Sequence, residues 1–323
     1  MSDRKTHRTS VGGQALIEGV MMQGPRGVAT AVRQENGEIV VKHHTFNHAK
    51  DKFKFLGWPI IRGMVAFVES MILGYRMLMY SAEASGMEDM EDVEMNKFEK
   101  WITDKLGDKF MSFIMVIATI LGIALAILIF FYFPVLLFNR LNAWTDGVLT
   151  PWQGTIEGVL KIIIFVVYIA AVSRMKDIKR TFMYHGAEHK SIACYESGME
   201  LTVENVKKCT RFHPRCGTSF IFVMLIFSII FSTILSKIFP DIATVRILWM
   251  LLKIAFIPLL MGFGYEFIRY AGRHDNIFVR VLSAPGLWMQ RLTTNEPDDE
   301  IIEVGIEALK AVITDNPEDD EIK

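Results

Sequence analysis

The stretch FMSFIMVIATILGIALAILIFFYFPVLLFN, residues 110–139, contains no charged side chain. A helix of about 20 apolar residues crosses the hydrocarbon core of a bilayer, and this stretch is longer than that. Cys216–Ser236 is also uncharged, and Ile156–Ser173 and Ile247–Ile268 are apolar with few charges. The sequence therefore predicts a mainly α, polytopic helical membrane protein with about four transmembrane helices.

The distribution of Lys and Arg predicts how these helices are oriented. Residues 139–155 hold only Arg140, whereas residues 174–215 carry nine basic residues and residues 1–109 carry fifteen. Basic residues concentrate in cytoplasmic segments, so we expect a multi-pass protein of the cell membrane with both termini in the cytoplasm. Membrane lipids are then expected partners, and with a net charge of −1 no nucleic acid is expected. The three cysteines would lie on the reducing side, which argues against disulfides.

The predicted topology divides the chain into six segments. They are an N-terminal cytoplasmic segment with a β-hairpin (1–57), an interfacial amphipathic helix with an acidic linker (58–109), transmembrane helices 1 and 2 (110–173), a cytoplasmic loop (174–215), transmembrane helices 3 and 4 (216–268), and a cytoplasmic C-terminal segment with an amphipathic helix (269–323).

Turn signals organise the N-terminal segment. Asn36-Gly37 separates Gly27–Gln34 from Glu38–His44, and Asn-Gly is the preferred pair for a tight hairpin turn. Val11–Met22 is predicted to be one buried strand bounded by turns. Glu18 within it is interpreted as an ordinary paired carboxylate, with the alternative that it points into a site.

The predicted membrane helices contain a few charges of their own. Glu157 and Lys161 are four residues apart, which is a favourable helical pair. Lys161 and Lys253 are both interpreted as snorkelling lysines, and the alternative is a polar path between the helices.

The chemistry of the chain is concentrated in YHGAEHK, residues 184–190. His185 and His189 are four residues apart, so they share one face of a helix, and Glu188 completes the spacing H-x-x-E-H. This spacing is typical of a metal-binding helix, and Zn²⁺ is the metal that imidazole and thiolate ligands favour. Further candidate ligands are Cys209, His213, Cys216 and Glu266.

These residues support two hypotheses about function. In the first, the protein is a metal-dependent hydrolase at the cytoplasmic membrane face, and Glu188 is the general base on a water molecule that the metal activates. Its substrate would be lipid-linked or membrane-adjacent. In the second, the protein is a non-enzymatic carrier or assembly scaffold, and a structural His/Cys metal site ties the loop to the third predicted transmembrane helix. A pattern of five residues also arises by chance.

Four stretches resemble the signature segments of the YqhQ-like family of bacterial membrane proteins (domain of unknown function 1385). They are residues 12–22 (GGQALIEGVMM), 184–190, 213–220 (HPRCGTSF) and 291–297 (RLTTNEP). The resemblance covers nearly the whole chain and implies a metal-dependent enzyme whose site contains His185, Glu188 and His189. Similarity to the inverted-zincin peptidases is limited to the spacing of five residues.

Overall fold

The computed structural model describes residues 8–46, 48–49, 53–86, 108–274, 276–314, 316 and 319–321. These residues belong to two compact units. The first comprises Met1–Gly86, Ile169–Met224 and Pro258–Lys323, and the second comprises Met87–Tyr168 and Leu225–Ile257. The acidic linker predicted within residues 58–109 lies outside the described residues.

The described chain is mainly helical. Its strands are β1 (Gly12–Leu16), β2 (Gly19–Gly24), β3 (Gly27–Arg33) and β4 (Ile39–His44). Its helices are α1 (Ile61–Ala84), α2 (Asp108–Ile127), α3 (Phe133–Trp144), α4 (Gln153–Val172), α5 (Lys176–Glu196), α6 (Val203–Lys208), α7 (Gly217–Ile238), α8 (Pro240–Thr244), α9 (Arg246–Ala255), α10 (Ile257–Arg273), α11 (Ile277–Thr293) and α12 (Asp299–Val312). A π-helical turn, Leu128–Tyr132, joins α2 to α3, and short 3₁₀ turns precede α1 and α4.

The four strands form one antiparallel sheet in the order β1-β2-β3-β4. The hairpin predicted at Asn36-Gly37 is confirmed, because β3 and β4 pair across this turn and Gly37 has a φ of +86°. The expected single strand at Val11–Met22 is wrong. That stretch is a second hairpin, which turns at Ile17 and Glu18, and Glu18 adopts a φ of +48°.

The two central strands of the sheet, β2 and β3, are buried on both faces by helices of the first unit. Alternate residues of a strand point to opposite faces, and Val20 and Met22 of β2 pack with Tyr184 of α5 and Leu309 of α12. Met21, on the other face of β2, packs with α1. The sheet therefore fixes the positions of the helices on either side of it.

Among the described residues, three helical segments are long and apolar enough to cross a membrane: Val116–Trp144, Thr150–Val172 and Phe220–Ile238. The fourth predicted transmembrane helix is interrupted at Phe256, so that α9 and α10 cross only if they form one bent span. Pro258 accounts for the break, because it has no amide hydrogen for the carbonyl of Ile254 and its ring clashes with that carbonyl.

The second unit buries an ion pair among apolar helices. Glu157 of α4 is 2% exposed, and its Oε2 lies 2.6 Å from Nζ of Lys253 in α9. The indole of Trp249 and the amide of Gln153 also donate to this carboxylate, each over 2.9 Å. Lys253 therefore makes a specific ion pair, and the snorkelling interpretation is wrong for this residue.

Candidate metal and catalytic site

Helix α5 presents the two histidines of the H-x-x-E-H stretch side by side. Their ring centroids are 4.4 Å apart. Nδ1 of His185 lies 2.8 Å from the carbonyl oxygen of Thr293, and Nδ1 of His189 lies 2.6 Å from that of Arg211. A carbonyl oxygen only accepts, so each Nδ1 carries a hydrogen and donates it. In the neutral imidazoles, each Nε2 then keeps a lone pair that can bind a metal.

Cys216 completes a group of three potential ligands. One ligand atom from each of His185, His189 and Cys216 lies within 4.8 Å of the other two, and Nε2 of His185 is 3.2 Å from the Cys216 sulfur. Zinc bonds of about 2.0–2.3 Å place tetrahedral ligand atoms about 3.5 Å apart. Small side-chain movements would therefore allow this group to hold a metal ion.

Glu188 lies beside the histidines and is 5% exposed. Burial raises the pKa of this carboxyl to about 7, against the opposing effects of His185 and of a hydrogen bond from the Gly13 backbone. The β1 strand and α5 are in contact, and this contact positions the carboxylate. Its proton can therefore be exchanged near neutral pH, as general acid–base catalysis requires.

A cavity of about 680 Å³ within the first unit contains this group. Its polar wall includes His185, Glu188, His189 and Cys216, and β1 forms a further wall with residues 11–15. Its apolar wall comes from α1, the beginning of α7 and α10, and includes Phe67, Met71, Phe220, Ile221 and Ile268. The volume is in the usual range for ligand sites, about 300–1,000 Å³.

The other three candidate ligands have different partners. The Cys209 thiol donates to the carbonyl of Asn205, and burial raises its pKa. Glu266 accepts hydrogen bonds from the guanidinium of Arg62, one of them over 2.6 Å. Within the described part of the chain, the group of three potential ligands includes neither residue.

His213 lies closer to the group but is held by other contacts. Its ring centroid is 5.5 Å from that of His189, and Nη2 of Arg215 donates to its Nε2 over 3.2 Å. Burial lowers the pKa of His213. Of the further candidate ligands, the structure thus brings Cys216 to His185 and His189, whereas the ring of His213 contacts Arg215.

Several residues that shape the site were not among the candidate site residues predicted from the sequence. The carbonyls of Thr293 and Arg211 orient the two imidazoles. Glu296 accepts from Lys190 and Arg211 over 2.8 and 2.9 Å, which ties the segment after α11 to α5 and to the loop before α7. Backbone acceptors have no residue signature, but Glu296 lies in the RLTTNEP stretch.

Gly186 is the contact point between α5 and the segment after α11. A Cβ atom here would lie 2.1 Å from the backbone oxygen of Asn295. We expect Gly186→Ala to lower the free energy of unfolding by about 1–3 kcal/mol, because the backbone must shift. Thermal unfolding in detergent measures the effect. Gly217→Ala is the control, since its added Cβ would meet nothing within 4 Å, and equal stability of both variants would contradict this close contact.

The fold and the site define a mainly helical protein in which a small antiparallel sheet supports a His/Cys group, with three to four helices apolar enough for a membrane. The model of the family described as "Protein of unknown function (DUF1385)" matches residues 58–315. The chain is also 34% identical over 310 residues to "Uncharacterized protein YqhQ" of Bacillus subtilis (strain 168), covering 94% of this chain and 92% of that protein.

The chain therefore belongs to the DUF1385, or YqhQ-like, family. No solved structure matches it.

Proposed function

We propose that this protein is a metal-dependent hydrolase of the bacterial inner membrane, with its site at the cytoplasmic face and both termini in the cytoplasm. One observation carries the proposal. Two imidazoles with oriented Nε2 atoms, one thiol and one buried carboxylate line the same cavity. Structural sites bury such ligands in a closed shell, whereas this group lines a space large enough for a substrate.

The donor set fits zinc. His185, His189 and Cys216 would hold the ion, because borderline-soft Zn²⁺ favours two nitrogen ligands and one sulfur ligand in this arrangement. A bound zinc ion would act as a Lewis acid and would lower the pKa of a water molecule towards neutrality. The residues around these ligands would transfer the proton and hold the ligands in position.

Glu188 is the general base in the proposed reaction. Its carboxylate lies one helical turn from His185 on the same face of α5, so it can take a proton from a water molecule beside the metal ligands. The Gly13 amide hydrogen donates to this carboxylate and keeps it from turning away. The carbonyls of Thr293 and Arg211 hold the two imidazoles at Nδ1, which leaves both Nε2 atoms available as ligands, and Nε2 of His185 lies 3.2 Å from the Cys216 sulfur.

Metal analysis of the full chain tests the proposal. Protein purified in detergent and dialysed against zinc is expected to hold about one zinc ion per chain, as the donor set implies. His189→Ala and Cys216→Ser are expected to hold much less, since each removes one of three ligands. Cys209→Ser is the matched control, because the Cys209 thiol contacts Asn205, and it should bind zinc as the wild type does.

Two results would count against the metal site. If the wild-type protein binds no zinc, the proposed metal site does not exist. If the wild type and His189→Ala bind equal amounts of zinc, the ion is bound elsewhere. Elemental analysis of the same preparations separates these results, because it measures zinc per chain without any assumption about the substrate.

A structural metal site in a non-enzymatic scaffold is the second candidate. The position of Cys216 favours this alternative. Cys216 directly precedes α7, and its sulfur lies 3.2 Å from Nε2 of His185 in α5. A metal here would tie these two helices together. This alternative predicts that chelation lowers the melting temperature strongly and that Glu188→Gln has no functional consequence.

A further inference from the structure

Strand β1 is the end strand of the sheet, and in the described part of the chain its strand neighbour is β2. An end strand presents one row of backbone amides and carbonyls away from the sheet. The cavity that holds the candidate site is lined by residues 11–15, which include most of this strand. The outer edge of β1 therefore belongs to the wall of the site.

The register identifies which backbone groups face outward. Leu16 and Gly19 close a turn of two residues, so they form a hydrogen-bonded pair, and such pairs alternate along an antiparallel ladder. Gln14 is therefore bonded to β2, whereas the backbone groups of Gly13 and Ala15 point away from it.

Two observed contacts agree with this alternation. The amide of Ile17, which is in phase with residues 13 and 15, donates to Oγ of Ser81 in α1 over 3.2 Å. The amide of Gly13 donates to the Glu188 carboxylate. The carbonyl of Gly13 and both backbone groups of Ala15 are then the outward groups next to the proposed general base.

The chemistry of this wall discriminates between two kinds of occupant. An acyl chain that filled the cavity would cover these backbone groups without offering them hydrogen bonds, and covering a polar group without a partner is unfavourable. An extended peptide offers an amide or a carbonyl at each position, so it satisfies the edge of β1. Its side chains, which alternate between two sides, would meet the apolar wall that includes Phe67, Met71 and Phe220.

We propose that the cavity binds an extended peptide segment as a fifth strand along the outer edge of β1, and that this peptide is the substrate class of the site. The inference rests on the proposed function for its chemistry. In the hydrolysis, the oxygen of water bonds to the peptide carbonyl carbon and the C–N bond breaks. Glu188 takes a proton from that water and gives it to the leaving amine.

Photo-crosslinking of the full chain in detergent tests the inference. The probe is a hexapeptide of alternating Leu and Ala that carries one diazirine-modified Leu and no metal-binding group. We expect the probe to label the walls of the cavity, with crosslinks in residues 11–15 and in α1. Labelling should persist in EDTA, because the pairing with β1 does not require metal. A wild-type protein that binds no zinc would therefore overturn the proposed function. The labelling in EDTA would still decide whether the cavity binds a peptide.

Two comparisons examine the role of the backbone. An unlabelled hexapeptide should compete with the probe, whereas the same sequence methylated on its amide nitrogens should compete about tenfold less well, since it has lost its donors. Ala15→Pro removes the outward amide hydrogen and should weaken labelling by about tenfold, and Ala15→Ser, which keeps that hydrogen, should label normally. The competition measurement uses the wild type and so decides the question even if Ala15→Pro does not fold.

A diazirine-bearing fatty acid of similar length is the opposing probe. Labelling of the cavity by the fatty acid and not by the peptide would overturn the inference and assign the site to a lipid chain. Equal competition by the methylated and unmethylated peptides would overturn it as well, because contacts with side chains alone would then explain the binding.

Discussion

Glu188→Gln is expected to lower the rate of hydrolysis of the alternating Leu/Ala hexapeptide by about 10²–10⁴-fold, the usual contribution of a positioned general base. Glutamine has the shape of glutamate and its side-chain oxygen still accepts from the Gly13 amide, but it cannot take a proton from water. Bound zinc should stay near the wild-type amount, because Glu188 is outside the group of three ligands. The rate of appearance of new α-amino groups measures the effect.

The control for this prediction is Glu204→Gln, which removes an exposed carboxylate at the start of α6. It should match the wild type in rate and in zinc content. A Glu188→Gln protein that retains full activity would contradict the general-base role. A wild-type, zinc-loaded protein that does not cleave the peptide would contradict peptide hydrolysis and leave the structural metal site as the better account.

Glu157→Gln is expected to destabilise the protein by about 3–5 kcal/mol, because it leaves the ammonium of Lys253 buried without its anion. The two side chains are 2% and 9% exposed and their charged atoms are 2.6 Å apart, so little water is available to replace the carboxylate. Thermal or denaturant unfolding in detergent micelles measures the loss.

The double variant Glu157→Gln with Lys253→Met distinguishes a lost ion pair from a general packing defect. Removing both charges should recover most of the stability, since a buried pair is often worth little more than an apolar replacement. Losses that simply add in the double variant would show that the two residues act independently and would contradict the ion pair as the cause.

Local patterns were sufficient to predict much of the fold. The apolar stretches predicted the helices that can cross a membrane, and Asn36-Gly37 predicted one hairpin because its turn depends on only two residues. The same local rules missed the turn at Ile17 and Glu18, where a glutamate adopts a positive φ that glycine or asparagine usually adopts. That turn is stabilised from outside, because the Glu18 side chain is bound by Arg180 and by the hydroxyl of Tyr184.

The candidate site was predictable to the extent that it lies on one helix. Spacing alone placed His185 and His189 on one face of α5, with Glu188 next to His189 in the chain. Residue type could not decide which of the distant candidates joins them, and the structure brings Cys216 there while pairing Glu266 with Arg62. Spacing also favoured the local partner of Glu157, Lys161, whereas the observed partner is Lys253, 96 positions later. Such choices depend on packing between helices.

The anchor of His185 has a consequence for biosynthesis. The carbonyl that orients this imidazole belongs to Thr293, and α12, which follows it, supplies Leu309 to the core beneath α5. A nascent chain that has emerged only as far as α10 contains all three candidate ligands but lacks the partner that fixes the tautomer of His185. In the proposed metal site, capture of the ion in its final geometry would therefore have to wait until Thr293 has been synthesised.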